Sequence, residues 1–548
     1  MKYFSKIFSS QEFFVFFAAI LLAVYLHLPA LLEEDRFHNN WRQAPHWLSP
    51  ENQSFQDDDL LLEYAEFNTS PVADFIFQNL SKTGIDIYWG KLLAILYFAI
   101  TVLLIFITSK KMYNETAGWI SAIIFGLFSM MFEEYSGGFM SAFSSPLILL
   151  TIYVIYTKKW WWIPPIILLE SLSYPMAAVH SGAILFIDFL INDKNNIGSK
   201  EYWKEKYVPI VISILFFVSV VALKYLSMQH DFGELVSRAE IQNRGVFTTW
   251  GRSPIIPVKS IWLEFENKLG TWFTVLFFVS SFYYLGKSIF KLPRGLYALL
   301  FGSIFIYIIA DILLMKLYIP NRYFHYSLPF FFSIAGGFWW ANILRLEKDK
   351  IVGALKNKFN LKLPKIYIVT VALVLIGFIS YSSSLVPGLQ TKKYDDHNLY
   401  SFIKELPGKP MIAIHPTKGS EIPITTGKTV FLSMELSHPW WTSYWNVIKK
   451  RTQDYFKAYY SYNPDEIVSF IEKNKIDYWI INRKHFSSKY IKRRIYIRPF
   501  NNWIKRKLTP SSRCVLNNIP QKYWDYNEGT EFGISSDNLL QYFTDVRK

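Results

Sequence analysis

Apolar and polar positions change along this chain on a scale of tens of residues. The run QEFFVFFAAILLAVYLHLPALL fills 11–32 and gives way at once to Glu33, Glu34, Asp35 and Arg36. A helix needs about 20 mostly apolar residues to cross a bilayer, and runs of that kind recur as far as residue 385. The pattern predicts spans at 12–32, 90–109, 117–132, 142–157, 160–176, 177–192, 207–226, 270–286, 296–316, 325–344 and 366–385, eleven in all. The first run is followed by Leu-Leu-Glu-Glu rather than a small-residue cleavage site, so it reads as a retained anchor. Past residue 388 the period shortens. KPMIAIHP, KTVFLS and IDYWIINRKHF read as buried strands, and PDEIVSFIEKNK as a helix opening at Pro464 and Asp465 and closing near Asn474. The expected organisation is a membrane domain over 1–388, with a large first loop at 33–89, and a soluble α/β domain over 389–548. Within the first loop, LLLEYAEF and PVADFIFQNL predict amphipathic helices lying in the membrane interface.

Charge orients the spans. With the N-terminus inside, the inside loops hold Lys110–Lys111, Lys158–Lys159, INDKNNIGSKEYWKEKY, GKSIFKLPR and RLEKDKIVGALKNKFNLKLPK. Each carries lysine or arginine, as the positive-inside rule requires. An odd number of spans then leaves the C-terminal domain outside. These loops account for much of the +15 net charge, which therefore needs no nucleic-acid partner. Composition agrees: 51% of residues are hydrophobic, 18% aromatic and 18% charged, the last below the roughly 25% of a soluble domain. Cys514 is the sole cysteine, which excludes an internal disulfide framework and a cysteine metal cluster. No glycine-rich phosphate loop follows the C-terminal strands.

The arrangement resembles the GT-C superfamily of integral membrane glycosyltransferases, and more narrowly a group of bacterial GT-C-like membrane proteins. The stretches that carry the resemblance are FQDDDLLLEYAEFNTSP, EEYSGGFMSAFSSPLILLTIYVIYTKKW, LLESLSYPMAAVHSG and YIPNRYFHYSLPFF, with RTQDYFKAYYS and DYWIINRKHF in the soluble part. It implies an α-helical polytopic fold with about 11 transmembrane helices and a C-terminal extracytoplasmic α/β domain. It also implies a bacterial cytoplasmic (inner) membrane, a polyprenyl-phosphate sugar donor and a glycan, lipid or protein acceptor. A family pattern of one acidic residue or pair after the first helix meets three candidates here.

Transfer from such a donor needs a base for the acceptor hydroxyl, placed near the hydrocarbon but outside it. Asp35 is the first choice and Glu34 the second; on a continued helix the two would point about 100° apart. A solvated helix end explains the same residues. In SFQDDDLLLEY one aspartate is expected to cap the helix starting at Leu60. Asp58 is the functional choice among the three, as a second carboxylate or as a ligand for a divalent cation, Mg or Mn, on the donor phosphate. Arg322, beside Tyr323 and His325, and Arg36 are candidates to hold that phosphate. His180, in an apolar segment, is expected to line a cavity or brace the structure, with substrate contact as the sharper alternative. His38 and His46 have no metal-motif spacing. Gly137–Gly138, after Glu133 and Glu134, allow a tight turn or a close approach. A transporter or flippase and a non-catalytic assembly protein remain alternatives, although no internal repeat or paired broken spans support the transporter.

Overall fold

The first apolar run is a helix over Ser10–Leu32 whose buried stripe, Val15, Ala19, Ala23, Leu26 and Ala30, recurs every three or four residues. Phe13, Phe17, Leu21 and Leu28 face outward. Small side chains on the stripe let the helix Tyr88–Met112 pack closely against it. The computed structural model describes residues 10–127, 135–192, 203–237, 282, 285–313, 317, 320–359, 391–497 and 499–547. It divides into two compact units, the first comprising Met1–His38, Tyr88–Leu223 and Pro254–Lys392.

Among the described residues, five helices are long and apolar enough to cross a membrane: Ser10–Leu32, Tyr88–Met112, Met140–Thr157, Trp203–Phe232 and Arg294–Ile312. The fold is thus largely helical and membrane-associated. It differs from the expected eleven spans in definable places. The spans at 160–176 and 177–192 become Ile163–Ser173 and Pro175–Asn192, parted at Tyr174–Pro175. The first has 11 residues, which at 1.5 Å each reach roughly half the hydrocarbon thickness. The span expected at 325–344 is a helix of 32 residues, Leu328–Phe359, that runs on into the basic segment. The spans at 270–286 and 366–385, and the end of 117–132, lie outside the described residues apart from short pieces near 282–286.

The second unit comprises Asn39–Ile87, Lys224–Ser253 and Lys393–Lys548. Its centre is a five-stranded sheet of β1 (Met411–Ile414), β2 (Thr429–Val430), β3 (Tyr478–Asn482), β4 (Tyr526–Glu528) and β5 (Glu531–Ser535), in the order β2-β1-β3-β5-β4. β1 runs parallel to both β2 and β3, while β5 is antiparallel to β3 and β4. β1 is buried on all four residues, as a continuous apolar strand covered on both faces should be. Helix Pro464–Asn474 precedes β3; Asn463 caps it by accepting from the Asp465 N–H at 3.0 Å. The β4–β5 hairpin, which the sequence pattern did not predict, turns at Gly529 with φ +58°.

Residues 39–87, expected as a loop of the membrane part, belong to this second unit. Arg42 donates to Glu435 at 2.7 Å, and the Ser54 N–H donates to the Gly427 carbonyl at 2.8 Å. Gly427 has φ +68°, and a β-carbon there would lie 1.7 Å from the Asn52 oxygen, so only glycine admits the crossing. The two predicted amphipathic stretches are helices Leu60–Asn68 and Pro71–Ser81. Part of each apolar face is covered by the same unit: Tyr64 stacks on Tyr444 with centroids 3.8 Å apart, and Phe77 on Trp47 at 4.4 Å, while Phe75 is exposed. Burial opposes ionisation of Asp74, yet donation from His46, Thr69 and the Trp47 indole outweighs it and holds this carboxyl below its ordinary range.

Candidate active site

The first helix stops at Leu32, and the acidic cluster is built on how it stops. The Glu33 N–H still donates to the Pro29 carbonyl at 3.0 Å, but the Arg36 N–H donates to the Glu33 carbonyl at 3.2 Å. Glu34 and Asp35 therefore occupy the two corners of a β-turn, and the 100° relation expected of a continued helix does not apply. A strand, Arg36–His38, follows directly. Glu34 is exposed and Asp35 half-buried. Glu33 is drawn aside by Arg36, whose Nε lies 3.0 Å from its Oε2.

The turn is gripped from the start of the next helix. Lys91, 3% exposed, points its ammonium at the carbonyls of Glu33 and Glu34, at 2.8 and 3.1 Å. These oxygens sit where a helix end leaves acceptors unsatisfied, so the lysine works as a C-terminal cap. The Tyr88 hydroxyl reaches the Leu31 carbonyl at 3.4 Å. The charges of Glu34, Asp35 and Glu33 all act on Lys91, which balances the cluster. Sequence reasoning passed over this lysine. The available signal was an ionisable residue inside the apolar run beginning at Tyr88.

A second loop packs against His38 and Gly90. Gly137 lies against His38, where a β-carbon would come within 2.7 Å of the imidazole's own Cβ. Gly138, at φ +56°, lies so close to Gly90 that a β-carbon would fall 2.3 Å from its carbonyl oxygen. The glycine pair thus forms the turn expected of it and seats the loop beside Lys91. Glu133 and Glu134 lie outside the described residues.

The remaining predicted residues fall in other places. Arg322 is half-buried on the short helix Asn321–His325; the side chain of His325 lies outside the described residues. Tyr323 is fully buried, donating from its hydroxyl to the Leu317 carbonyl at 2.7 Å and meeting His180 edge to face at 5.6 Å. His180 is also fully buried, with Nε2 at 2.9 Å from Ser303 Oγ. The serine proton goes to the Leu299 carbonyl at 2.6 Å, so the imidazole Nε2–H is the donor. His180 and Tyr323 consequently brace the segment that presents Arg322. Glu170, another residue the sequence reading did not single out, is fully buried and accepts from Ser181 at 2.7 Å.

Asp58 belongs to the second unit and is exposed. Its neighbour Asp59 is the expected helix cap, accepting from the N–H groups of Leu61 and Leu62. Burial pushes the Asp59 carboxyl above its ordinary range. Asp57 pairs with Lys409 at 2.5 Å. Among the described residues, no three His, Cys, Asp or Glu side chains converge where a metal ion would sit.

No family model and no curated protein matches the chain. Among solved structures it is similar to the oligosaccharyltransferase of Archaeoglobus fulgidus. The complex of that protein with zinc and sulfate gives a TM-score of 0.45 at 12% identity, covering 90% of this chain and 70% of that one. The form tethered to an acceptor peptide containing the NVT sequon gives 0.45 at 12%, covering 89% and 71%. AglB from the same archaeon, with an inhibitory peptide and a dolichol-phosphate, gives 0.41 at 12%, covering 88% and 70%. Likeness at this level does not carry a reaction from one chain to the other.

Proposed function

We propose that this chain is a GT-C-type membrane glycosyltransferase that moves a sugar from a polyprenyl-phosphate donor to an extracytoplasmic glycan, lipid or protein. The observation that carries the reading is the turn at Glu33–Arg36: it presents Asp35 and Glu34 where the first membrane helix ends, held by a lysine buried at the start of the next. A lipid-borne donor keeps its phosphate at headgroup depth, so a base at a helix end meets it without entering hydrocarbon.

Asp35 is the base and Glu34 its alternate. The acceptor oxygen attacks the anomeric carbon, the bond from that carbon to the phosphate oxygen breaks, and its electron pair leaves with the lipid phosphate. The hydroxyl proton passes to Asp35. Lys91 keeps the turn rigid, which is what a base on a short loop requires. Arg322 binds donor phosphate, assisted by Arg36, while Tyr323 and His180 brace the segment that carries Arg322. The donor set among described residues does not form a cation site, so no step uses one. A requirement for Mg or Mn is open to test by chelation.

The proposed setting is a bacterial cytoplasmic membrane crossed several times, with the N-terminus inside and the α/β unit outside. The support is the lysine and arginine in every short inside loop. The test is purified protein in nanodiscs with a panel of radiolabelled polyprenyl-phosphate sugars and membrane-extract acceptors. Label leaving the lipid for an acceptor is expected. Translocation of the donor across vesicles without transfer would replace this reading with a lipid flippase.

A further inference from the structure

The second unit holds a cavity of about 360 Å³ that the chemistry above does not use. It opens at the carboxyl ends of the parallel strands β1 and β3, lined by His415, which follows β1, and by Asn482 and His485 at the end of β3. The chain leaves β1 for β2 on one side and returns to β3 on the other, so the cavity sits at the topological switch point of the parallel part of the sheet. Open α/β sheets bind ligands in that crevice, and the volume is at the lower end of the range for small-molecule sites.

The lining defines the ligand. One nitrogen of His415 is engaged by the Ile495 backbone; the other, Nε2, is buried and has no hydrogen-bond partner among the described residues. A buried acceptor left over in a cavity is a place for a ligand hydroxyl. His485 stands beside it, ring centroids 4.6 Å apart. Its Nδ1 is 2.9 Å from the Tyr459 hydroxyl, which accepts from the Asn482 N–H and so gives its own proton to His485. The free edge of His485 is then an N–H donor. Burial holds both imidazoles in the neutral form, His485 down to about 4, so together they offer one acceptor and one donor without charge.

The Lys418 charge in the wall is compensated. Lys418 pairs with Asp396 and, at 3.1 Å, with Glu421. Glu531 accepts from the Asn482 amide at 2.7 Å and keeps a second oxygen for the cavity. The Glu531 carboxylate opposes a phosphate or nucleotide, and Arg494 is an exposed side chain at the rim. Ile414, Ile480 and Ile495 give an apolar floor, and Tyr490 an aromatic face. Alternating neutral donors and acceptors over an apolar floor fit a ring whose edge carries hydroxyls and whose face carries C–H groups.

We infer that this cavity is a binding site for an uncharged sugar, a mono- or disaccharide. The inference stands apart from the transferase reading, because binding is measured without turnover. The experiment titrates full-length protein in nanodiscs with the methyl glycosides of glucose, galactose, mannose and N-acetylglucosamine. Inorganic phosphate and a blocked Gly-Ser-Thr peptide are the contrasting probes, and saturation-transfer NMR with calorimetry is the readout. At least one glycoside should bind, and Glu531→Gln and Tyr490→Ala should each weaken it tenfold or more with an unchanged unfolding midpoint. If Tyr490→Ala fails to fold, Glu531→Gln and Thr417→Trp, which fills the mouth, carry the test. Absence of glycoside binding, binding indifferent to these variants, or binding of phosphate or peptide in its place would overturn the inference.

Discussion

Replacing Lys91 by methionine keeps the length and the apolar stem but removes the ammonium that holds the Glu33–Arg36 turn. The Glu33 carbonyl then keeps only the Arg36 N–H, at 3.2 Å, and the Glu34 carbonyl loses the lysine donor. An acceptor left unsatisfied costs about 1–3 kcal/mol. Glu34 is exposed, so water can reach its carbonyl, while Lys91 and its surroundings are closed to water. The loss should therefore fall at the low end of the sum, about 2 kcal/mol, or roughly thirtyfold in the folding equilibrium. Lys91→Arg keeps the charge and the donors and should lose less than about 1 kcal/mol. The assay is reversible unfolding in mixed micelles of graded SDS content, followed by near-UV dichroism, with transfer activity measured beside it. Lys91→Met within about 0.5 kcal/mol of the parent protein would show that the two hydrogen bonds do not hold the turn.

Other expectations follow from single contacts. Gly138→Ala must take φ +56° and place a β-carbon 2.3 Å from the Gly90 carbonyl, so it should cost more than about 2 kcal/mol in the same unfolding assay. His485 has a folded pKa of about 4 against an unfolded 6.5, so acid favours the unfolded chain, which binds the proton first. Its contribution is complete above about pH 6.5 and falls away toward about pH 4, by up to about 3 kcal/mol. His485→Gln should flatten that part of the pH–stability curve, and an unchanged slope would reject the assignment. Arg322→Ala should raise the KM for the lipid donor about tenfold or more while kcat stays within about threefold. Equal losses in kcat and kcat/KM would place Arg322 at the transition state instead.

What the sequence displays is local in origin. The first helix and the strands at Met411–Ile414 and Tyr478–Asn482 each show as an apolar run of their own, and the helix Pro464–Asn474 also carries its own cap, Asn463. One aspartate of the triple run was legible as a cap because capping chemistry is local, and Asp59 fills that place. What stayed hidden depends on distant partners. Residues 39–87 join the α/β unit through pairs such as Arg42 with Glu435, 393 positions apart, which leave no periodic trace. The β4–β5 hairpin has a polar edge strand, Tyr526–Glu528, without the apolar alternation that announces a buried one. Lys91 was overlooked because its partners are backbone carbonyls, which have no residue identity to read. The turn at Glu34–Asp35 could be located from the charge run, but its geometry depends on that lysine.

The most direct measurement is the single-turnover transfer rate of Asp35→Asn in nanodiscs, with donor affinity determined on the same preparation. The amide preserves shape and leaves the Lys91 contacts to the backbone of Glu33 and Glu34 in place. Donor binding should therefore match the parent protein, while the rate falls by about 10² to 10⁴, the range of a lost general base. Glu34→Gln should be the milder variant. An Asp35→Asn protein that turns over at the parental rate would contradict the assignment of this turn as the active site.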